Sequence, residues 1–380
     1  MSTVTIAKAF PPGDFIKEEL EARGWTQQTL AEIMGRQTSV VSAVVNGKRG
    51  ISLDIANELS AAFGTSADYW VNLEKLYQQF LRNRADDSVA KRARIFELAP
   101  VKDMIKRNWI KPSNNWAVIE AEVKHFLGIN SIYDTPKEIA HAAKKSSSYD
   151  FATPAQRAWL IRARKMARGI QVAKFSDGSL ADTIANLRAL LENPEDVRQV
   201  PKVFADGGIR FLVLENIAHA KMDGACFWLD KHSPVIALGM RYDRLDNFWY
   251  VTAHETGHVK NGDGLNSEFV WDANLVGDEA VPFSEKSEIE KKADLFAQEM
   301  LIDQATLDNW IARVSPLYSK AKIMGFARLN RVHPAIVLGQ LQHRGEVQWS
   351  HSREMLVKVR DLAISTTLTD GFGQTLSADV

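Results

Sequence analysis

Apolar residues recur at helical spacing through the first 80 residues of the chain. One set lies between Leu30 and Met34, and another lies between Ile55 and Phe63. Spacings of three and four residues place the members of each set on one face of a helix. The pattern predicts five short helices between residues 14 and 80, separated by turn residues. The predicted breaks are Gly24, Gly35, Asn46-Gly47 and Gly64.

The helical pattern continues from residue 81 to about residue 200 and then changes. Residues 209–215 (IRFLVLE) and 233–240 (SPVIALGM) are short apolar runs rich in β-branched side chains, and ACFWLD lies between them. Such runs, bounded by turn residues, predict a small sheet. Helical spacing returns after residue 245, and the tail from residue 364 is predicted to be frayed. Prolines mark the predicted helix breaks in the earlier stretch, at Pro112, Pro136, Pro154 and Pro194.

These elements predict a mainly α protein with a small β-sheet, which is an α+β fold. Residues 1–80 form the predicted five-helix bundle, and residues 81–200 form a helical, basic connector. Residues 201–350 hold the sheet and helices of a further domain, and residues 351–380 form a C-terminal tail. A length of 380 residues agrees with two or three domains, since a single core rarely grows so large.

Composition is that of a globular protein from a reducing compartment. Hydrophobic residues make up 45% of the chain and charged residues 25%. No run of 18 apolar residues occurs and the start lacks the apolar core of a secretory signal, so we expect no membrane partner. Cys226 is the single cysteine, which excludes an internal disulfide and a cysteine-rich zinc finger. We therefore expect a cytoplasmic protein.

Charge is distributed unevenly, although the net charge is zero. Residues 81–174 carry 19 Lys and Arg against 9 Asp and Glu, whereas residues 254–313 carry 5 against 13. Two interpretations of the basic stretch are open. Its segment RARKMAR (162–168), with Trp159 nearby, would sense a nucleic-acid strand or a partner through phosphate contacts and stacking. Alternatively, the stretch is an ordinary connector that docks on the acidic region.

Residues 25–52 have the pattern of two helices joined by a tight turn at Gly35. The predicted packing positions between the helices are Ala31, Ile33, Val41 and Val44. Small polar residues at the exposed start of the second helix can reach base edges in a major groove. Basic residues on either side can contact phosphates. The candidate DNA-contacting residues are Arg36, Gln37, Thr38, Ser39, Ser42, Lys48 and Arg49.

A helical bundle that binds no DNA is the alternative, because residues 1–80 carry 7 Lys and Arg against 9 Asp and Glu. The stretch resembles the XRE (Cro/C1-type) helix-turn-helix family, and SADYWVNLEKLYQQF, which closes the bundle, is similar to the HigA/VapI type of antitoxin. The resemblance implies a duplex DNA operator as partner. We expect a homodimer, because such modules read half-sites one helical turn apart. Gln37 stands where the family often has Ser, so the operator sequence is not implied.

HETGH, at residues 254–258, has the spacing of a metal site on a helix. Because four residues slightly exceed one helical turn, His254 and His258 point the same way and can ligate one ion. Glu255 leans toward the remaining coordination position, where it can act as a general base. The apolar segment LDNFWYVTA before the motif and Asn261-Gly262 after it bound the predicted helix.

A third ligand is expected among the acidic residues downstream. Spacing favours Glu290, because it lies on a strongly amphipathic helix with Asp294 one turn further on. Asp294 would then accept the spare N–H of a ligand histidine. The alternative is that Glu290 lies on the surface and pairs with a neighbouring lysine. The candidates are Asp263, Glu268, Asp272, Asp278, Glu279, Glu285, Glu288 and Glu290.

HETGH followed by EKKADLFAQEML resembles the ImmA/IrrE metallopeptidases, whose second motif runs Glu-x-x-Ala-Asn/Asp-x-Phe-Ala. The resemblance implies a zincin-like domain that holds one Zn²⁺ per chain. It implies His254, His258 and Glu290 as the zinc ligands and Glu255 as the catalytic base. Asp294 would hold a ligand histidine in place.

Together the two motifs predict a DNA-binding transcriptional regulator, of the antitoxin kind, that carries a zinc-dependent endopeptidase domain. Its substrate would be its own chain, a partner repressor or a toxin. One alternative is a non-catalytic antitoxin and autorepressor that binds a toxin and uses the peptidase fold as a scaffold. Another is a peptidase whose N-terminal bundle serves only to dimerise. Glu255 favours catalysis, since a scaffold has no chemical need for it.

Overall fold

The computed structural model of the protein describes residues 10–134, 152–265, 269–277 and 280–371, without the side chains of 82–87. The predicted mainly α protein with a small sheet is confirmed. Contacts divide the chain into two compact units, residues 1–93 and 94–380. No helix in the described ranges is long and apolar enough to cross a membrane. The predicted break at Pro136 and residues 372–380 of the tail lie outside the described residues.

The first unit is a helical bundle. Gly35 has a φ of 65° at the end of its second helix, a left-handed conformation that favours glycine and allows the predicted tight turn. Thr26 and Ser52 accept hydrogen bonds from backbone N–H groups and so begin the second and fourth helices. The helices are α1 (Pro12–Arg23), α2 (Gln27–Met34), α3 (Thr38–Val45), α4 (Leu53–Phe63) and α5 (Ala67–Leu98).

Two details of this bundle differ from the prediction. Ile33 is 49% exposed, whereas Leu30 and Ala31 are buried. Because each helical residue turns by about 100°, residue 33 points away from the face that residues 30 and 31 share. The fifth helix continues to Leu98 instead of ending near residue 80, since no glycine or proline interrupts it.

The second unit is built on a sheet with four strands in its described part. The strands are β1 (Arg210–Val213), β2 (Met222–Trp228), β3 (Pro234–Leu238) and β4 (Val270–Ala273), in the spatial order β1-β3-β2-β4. β1 runs parallel to β3, and β2 runs antiparallel to both β3 and β4. The three predicted runs are therefore strands, and β4 is an additional strand at one edge of the sheet.

Helices cover both faces of this sheet. One face packs through Cys226, Trp228 and Ile236 against the helix that carries HETGH. The opposite face packs through Phe227 and Ala237 against the helices of the basic stretch. The helices are α6 (Val101–Lys106), α7 (Trp116–Leu127), α8 (Pro154–Ala167), α9 (Asp177–Arg188), α10 (Val200–Asp206), α11 (Leu245–Asn261), α12 (Glu288–Leu301), α13 (Gln304–Val314), α14 (Lys320–Leu329), α15 (Pro334–His343) and α16 (Arg360–Ile364).

Helix α8 carries the RARKMAR segment, but part of that segment belongs to the core. Trp159 is fully buried, and its indole N–H donates a hydrogen bond of 2.7 Å to the carbonyl oxygen of Leu214. The hypothesis that Trp159 stacks on a nucleic-acid base is therefore wrong. Arg164 is only 8% exposed, and its guanidinium lies 4.2 Å from the ring centroid of Phe269.

The start of the tail is ordered, contrary to the prediction of fraying from residue 364. The backbone N–H of Val213 donates a hydrogen bond of 3.0 Å to Leu368, which pairs beside β1. Asp370 forms a buried ion pair of 2.7 Å with Arg107. Backbone pairing and a neutralised buried charge fix this segment, and neither can be read from local sequence.

Candidate metal centre

Helix α11 presents the two histidines and the glutamate of the HETGH motif to the interior. His254, Glu255 and His258 have no exposed surface. The helix lies close to α12 because Gly257 has no side chain: a Cβ there would lie 3.2 Å from the Cα of Ala293. This close approach brings residues of α12 within reach of the two imidazoles.

Two imidazoles and two carboxylates converge at one point between α11, α12 and β4. The four residues His254, His258, Asp272 and Glu290 each offer a ligand atom, and these atoms all lie within 4.8 Å of one another. The Nε2 atoms of the two histidines are 3.0 Å apart. Glu290 Oε2 lies 3.1 Å from His254 Nε2 and 3.6 Å from His258 Nε2. Two imidazoles and a carboxylate form the donor set of a catalytic zinc site.

Asp272 is the member of this cluster that spacing did not select. Its Oδ2 atom lies 3.3 Å from His254 Nε2 and 3.8 Å from His258 Nε2. It was one of several acidic candidates, and its strand β4 has no long periodic pattern around it. Of the other candidates, Glu288 is exposed, while Glu268, Asp278 and Glu279 lie outside the described residues.

Carboxylates also face the outer nitrogen of each histidine. Asp263 Oδ2 lies 2.9 Å from His258 Nδ1, and Asp294 Oδ1 lies 3.0 Å from His254 Nδ1. Asp294 also accepts hydrogen bonds from the hydroxyl of Tyr250, at 3.0 Å, and from the ammonium of Lys286, at 2.7 Å. A proton on each Nδ1 is therefore stabilised, which leaves the Nε2 lone pairs pointing at the centre of the cluster.

The donor set fits a cation. Two imidazole lone pairs and two carboxylates repel one another at these distances unless a positive charge lies among them. Asp272 Oδ2 has no hydrogen-bond donor in the described structure although it is buried. Buried carboxylates without partners are costly, and a divalent ion would compensate all four groups at once.

Glu255 occupies a fully buried position beside the cluster. Neither of its carboxylate oxygens has a hydrogen-bond partner within the described residues. Gly224 of β2 leaves the space for it, because a Cβ at that position would lie 2.1 Å from Glu255 Oε1. Burial and the nearby charge of Asp272 raise the pKa of Glu255 well above its usual value. The carboxylate is consequently a stronger base than an exposed one.

The histidines and the acids on α12 have opposite shifts. Burial lowers the pKa of His258, but contacts with Asp263 and Glu290 outweigh this effect and raise that pKa to about 9. Burial raises the pKa of Asp294, but the contacts with His254 and Lys286 lower it overall. Without a metal ion, the imidazole of His258 therefore keeps its proton to higher pH. That proton carries the positive charge that a bound metal ion would otherwise supply.

A cleft that is open to solvent lies beside Tyr250. Its walls include the apolar side chain of Leu301 and the polar groups of Gln298 and His343. The ring of Tyr250 lies 5.8 Å from that of His343, and its hydroxyl contacts Asp294. The ring of Tyr250 therefore lies between the cleft and the cluster, 6.4 Å from the ring of His254. The mixed polar and apolar lining of the cleft suits a peptide side chain.

In the first unit, α3 presents the other set of candidate residues. Gln37, Thr38 and Ser39 are exposed at its start, and Lys48 and Arg49 are exposed just after its end. Ser42 is half-buried and its hydroxyl accepts a hydrogen bond from the Asn46 amide. The guanidinium of Arg36 is paired with Glu58, with Nε and Nη2 within 3.1 Å of the carboxylate.

Comparison with known proteins gives two family matches in one chain. The model of the helix-turn-helix family matches residues 16–70, and the peptidase family model described as the IrrE N-terminal-like domain matches residues 211–313. The predicted resemblances are confirmed by these matches.

Relatives match the first unit. Antitoxin HigA-1 of Vibrio cholerae is 36% identical over 63 residues, which are 16% of this chain and 59% of that protein. The uncharacterized HTH-type transcriptional regulator YddM of Escherichia coli K12 is 30% identical over 66 residues, which are 17% of this chain and 70% of the relative. A solved structure of Pseudomonas aeruginosa antitoxin HigA with the higBA promoter is 28% identical, with a TM-score of 0.21. The match covers 22% of this chain and 94% of the antitoxin chain in that structure.

Proposed function

We propose that the protein is an operator-binding regulator whose second unit is a zinc-dependent endopeptidase. The chain belongs to the helix-turn-helix family of transcriptional regulators through residues 16–70. It also carries an IrrE N-terminal-like domain over residues 211–313. The observation that carries the peptidase half is the convergence of His254, His258 and Glu290 beside the buried, unpaired carboxylate of Glu255. A purely structural metal site has no use for that carboxylate.

Each residue of the centre has a distinct part in this proposal. His254, His258 and Glu290 hold one zinc ion per chain, and Asp294 fixes the orientation of His254. Zinc, when bound, supplies the Lewis acidity that polarises the peptide carbonyl. Glu255 takes a proton from the attacking water and passes it to the leaving amine.

The substrate is a protein that shares a complex with this chain. We propose a partner regulator, a toxin or the chain itself, because a relative of the first unit is an antitoxin. Cleavage would then change which genes are repressed. A regulator of operator DNA works in the compartment that holds the DNA, so we place the protein in the cytoplasm.

The peptidase half is tested by cleavage. The full chain is incubated with zinc and each candidate partner, and products are identified by mass spectrometry, with Glu255→Gln as the matched variant. We expect new peptide ends with the wild type alone, because Glu255→Gln keeps the shape of the side chain but removes the base. Identical products from both proteins, or none from either, favour the non-catalytic antitoxin that uses this fold as a scaffold.

The regulator half rests on the exposed start of α3. We propose that Gln37, Thr38, Ser39 and Ser42 contact base edges in a major groove and that Lys48 and Arg49 contact phosphates, in a homodimer on an inverted repeat. Arg36 would need to exchange Glu58 for a phosphate, so its contribution is expected to be smaller. The reduction should be small, because separating the solvent-accessible ion pair of Arg36 with Glu58 costs little free energy.

The test of this half is binding of the full chain to fragments of its own promoter region. Changing Gln37 and Thr38 together to Ala should relax the preference for one sequence. Arg49→Ala should weaken binding to all sequences and reduce the slope against salt concentration by about one. Lys17→Ala, an exposed lysine on α1 outside the set, is the control. Failure to shift any promoter fragment at low salt would remove the regulator from the proposal.

A further inference from the structure

The position of Asp272 concerns how the proposed zinc site is regulated. Zinc bound at about 2.0–2.2 Å by four ligands in a tetrahedron separates neighbouring ligand atoms by about 3.3–3.6 Å. The separations between the histidine Nε2 atoms, and between these atoms and the carboxylate oxygens of Asp272 and Glu290, run from 3.0 to 3.8 Å, close to those values. Four such ligands would fill the coordination positions of a tetrahedral zinc ion and leave none open for a substrate.

Asp272 and Glu255, the proposed general base, both lie next to Gly224 on the same side of the cluster. Asp272 pairs across the sheet with Gly224, and Gly224 is the residue whose missing side chain leaves room for Glu255. Neither Asp272 Oδ2 nor the Glu255 carboxylate has a hydrogen-bond partner in the described structure. Both carboxylates border this glycine, so Asp272 lies on the side of the cluster from which Glu255 approaches.

The strand that carries Asp272 is short and lies at one edge of the described sheet. β4 has four residues, pairs with β2 alone among the strands of the described residues, and its ladder is irregular between Met222 and Gly224. Short edge strands open at lower free energy than central strands, because fewer backbone hydrogen bonds must break. Loss of β4 would expose the edge of β2, to which an extended peptide can add as a strand.

Helix α8 holds one end of this strand. The guanidinium of Arg164 lies over the ring of Phe269, the residue immediately before β4, and also 5.5 Å from the ring centroid of Phe227 on β2. A desolvated cation over an aromatic face is attracted by the ring quadrupole more strongly than an exposed one. The basic helix is thereby connected to the strand that reaches the metal centre.

We propose that Asp272 is a fourth zinc ligand and that β4 is an autoinhibitory strap, which closes the endopeptidase site until the strand is displaced by an extended peptide. This rests on the zinc site of the proposed function. In this arrangement the basic helix α8 acts as a latch, because Arg164 holds the strap in place through Phe269. The helix is then not a sensor of nucleic acid.

The test measures access to the metal in the full chain after its zinc is exchanged for cobalt(II). Acetohydroxamate is the probe, and the visible absorption of cobalt reports its binding. We expect Asp272→Asn to bind acetohydroxamate about ten-fold or more tightly than the wild type, because a strap that is closed nine-tenths of the time reduces apparent affinity by that factor. Glu288→Gln, which changes an exposed acid on α12, should match the wild type.

A second pair of variants keeps Asp272 in place. Arg164→Gln should shift hydroxamate affinity toward that of Asp272→Asn and speed hydrogen exchange of the backbone amides of Val270–Ala273. Arg168→Gln, on the exposed side just after α8, should change neither.

The outcomes separate this inference from the function on which it rests. If wild type and Asp272→Asn both take up cobalt and bind acetohydroxamate equally, the strap is overturned while the metal site stands. If neither protein takes up cobalt, the zinc site of the proposed function fails, and the strap fails with it. Unchanged hydrogen exchange in Arg164→Gln would overturn the latch.

Discussion

Asp294 connects three groups that would otherwise be misplaced or unpaired. It faces His254 Nδ1 at 3.0 Å, accepts from the Tyr250 hydroxyl, and forms an ion pair with Lys286, whose side chain is only 3% exposed. The sequence motif predicts the first contact, since Asp294 lies one turn after Glu290. The lysine was not predicted, because its partner lies eight residues away across a helix start.

We expect Asp294→Asn to weaken zinc binding by about 10–100-fold, because the histidine loses the charge that orients it. The same change leaves Lys286 buried without a counter-charge, which should lower the free energy of unfolding by about 3 kcal/mol. Competition with a chelator gives the first quantity, and urea denaturation gives the second.

The double variant Asp294→Asn with Lys286→Met separates the two effects. It should recover most of the lost free energy of unfolding, since no buried charge remains unpaired, but not the affinity for zinc. If zinc affinity returns with stability, Asp294 acts only through the fold.

Most of the candidate metal centre could be predicted from residue spacing. His254, Glu255 and His258 follow from a four-residue repeat on one helix, and spacing favours Glu290 because it lies on a second helix with an acid one turn on. Asp272 could not be selected, because its place depends on the pairing of β4 with β2, between residues more than 40 positions apart. Pairing between such distant residues leaves no periodic signal in either segment.

At the scale of elements, the sheet and α11 approach so closely that one residue of β2 must be glycine. A Cβ at Gly224 would lie 2.1 Å from Glu255 Oε1 and 2.8 Å from Val251 Cγ1. Gly325, in the interior of α14, has no atom of the described residues within 4 Å of the position where a Cβ would lie. The two glycines therefore form a matched pair.

We expect Gly224→Ala to destabilise the protein by about 1–3 kcal/mol, because the added methyl group pushes β2 and α11 apart. Gly325→Ala should instead stabilise it by about 0.4–1 kcal/mol, since alanine loses less backbone entropy in a helix. Thermal unfolding of the two variants measures both. Equal effects of the same sign would contradict the close approach.

The elements that were missed are those without a local pattern. β4 is four residues long, and residues 364–371 are ordered by the bridge to β1 and by the ion pair of Asp370 with Arg107. The five helices of the first unit were found because capping residues and glycines mark their ends. Their exact limits, such as Leu98 for α5, were not.

At the scale of the whole molecule, the two units have separate cores. The described core of the first unit runs from Ile16 to Trp70, and that of the second from Ile95 to Ile364. The candidate metal ligands all lie in the second unit. A ligand that binds one folded unit stabilises that unit by mass action.

We therefore expect two unfolding transitions in calorimetry of the full chain. Zinc at 100 times its dissociation constant should add about 2.7 kcal/mol to the second unit and leave the transition of the first unit in place. Operator DNA should do the reverse. A single transition, or two transitions that both move with zinc, would contradict this division.

Everything proposed for the second unit depends on the buried imidazoles and carboxylates holding a metal ion. The direct measurement is the zinc content per chain after dialysis, determined by elemental mass spectrometry. The proteins compared are the wild type, His258→Ala, Glu290→Ala and Glu288→Ala. We expect about one zinc per chain in the wild type and in Glu288→Ala, and about ten-fold weaker binding or worse in the other two. A wild type without zinc would contradict the metal centre, and full zinc occupancy in Glu290→Ala would remove that residue from it.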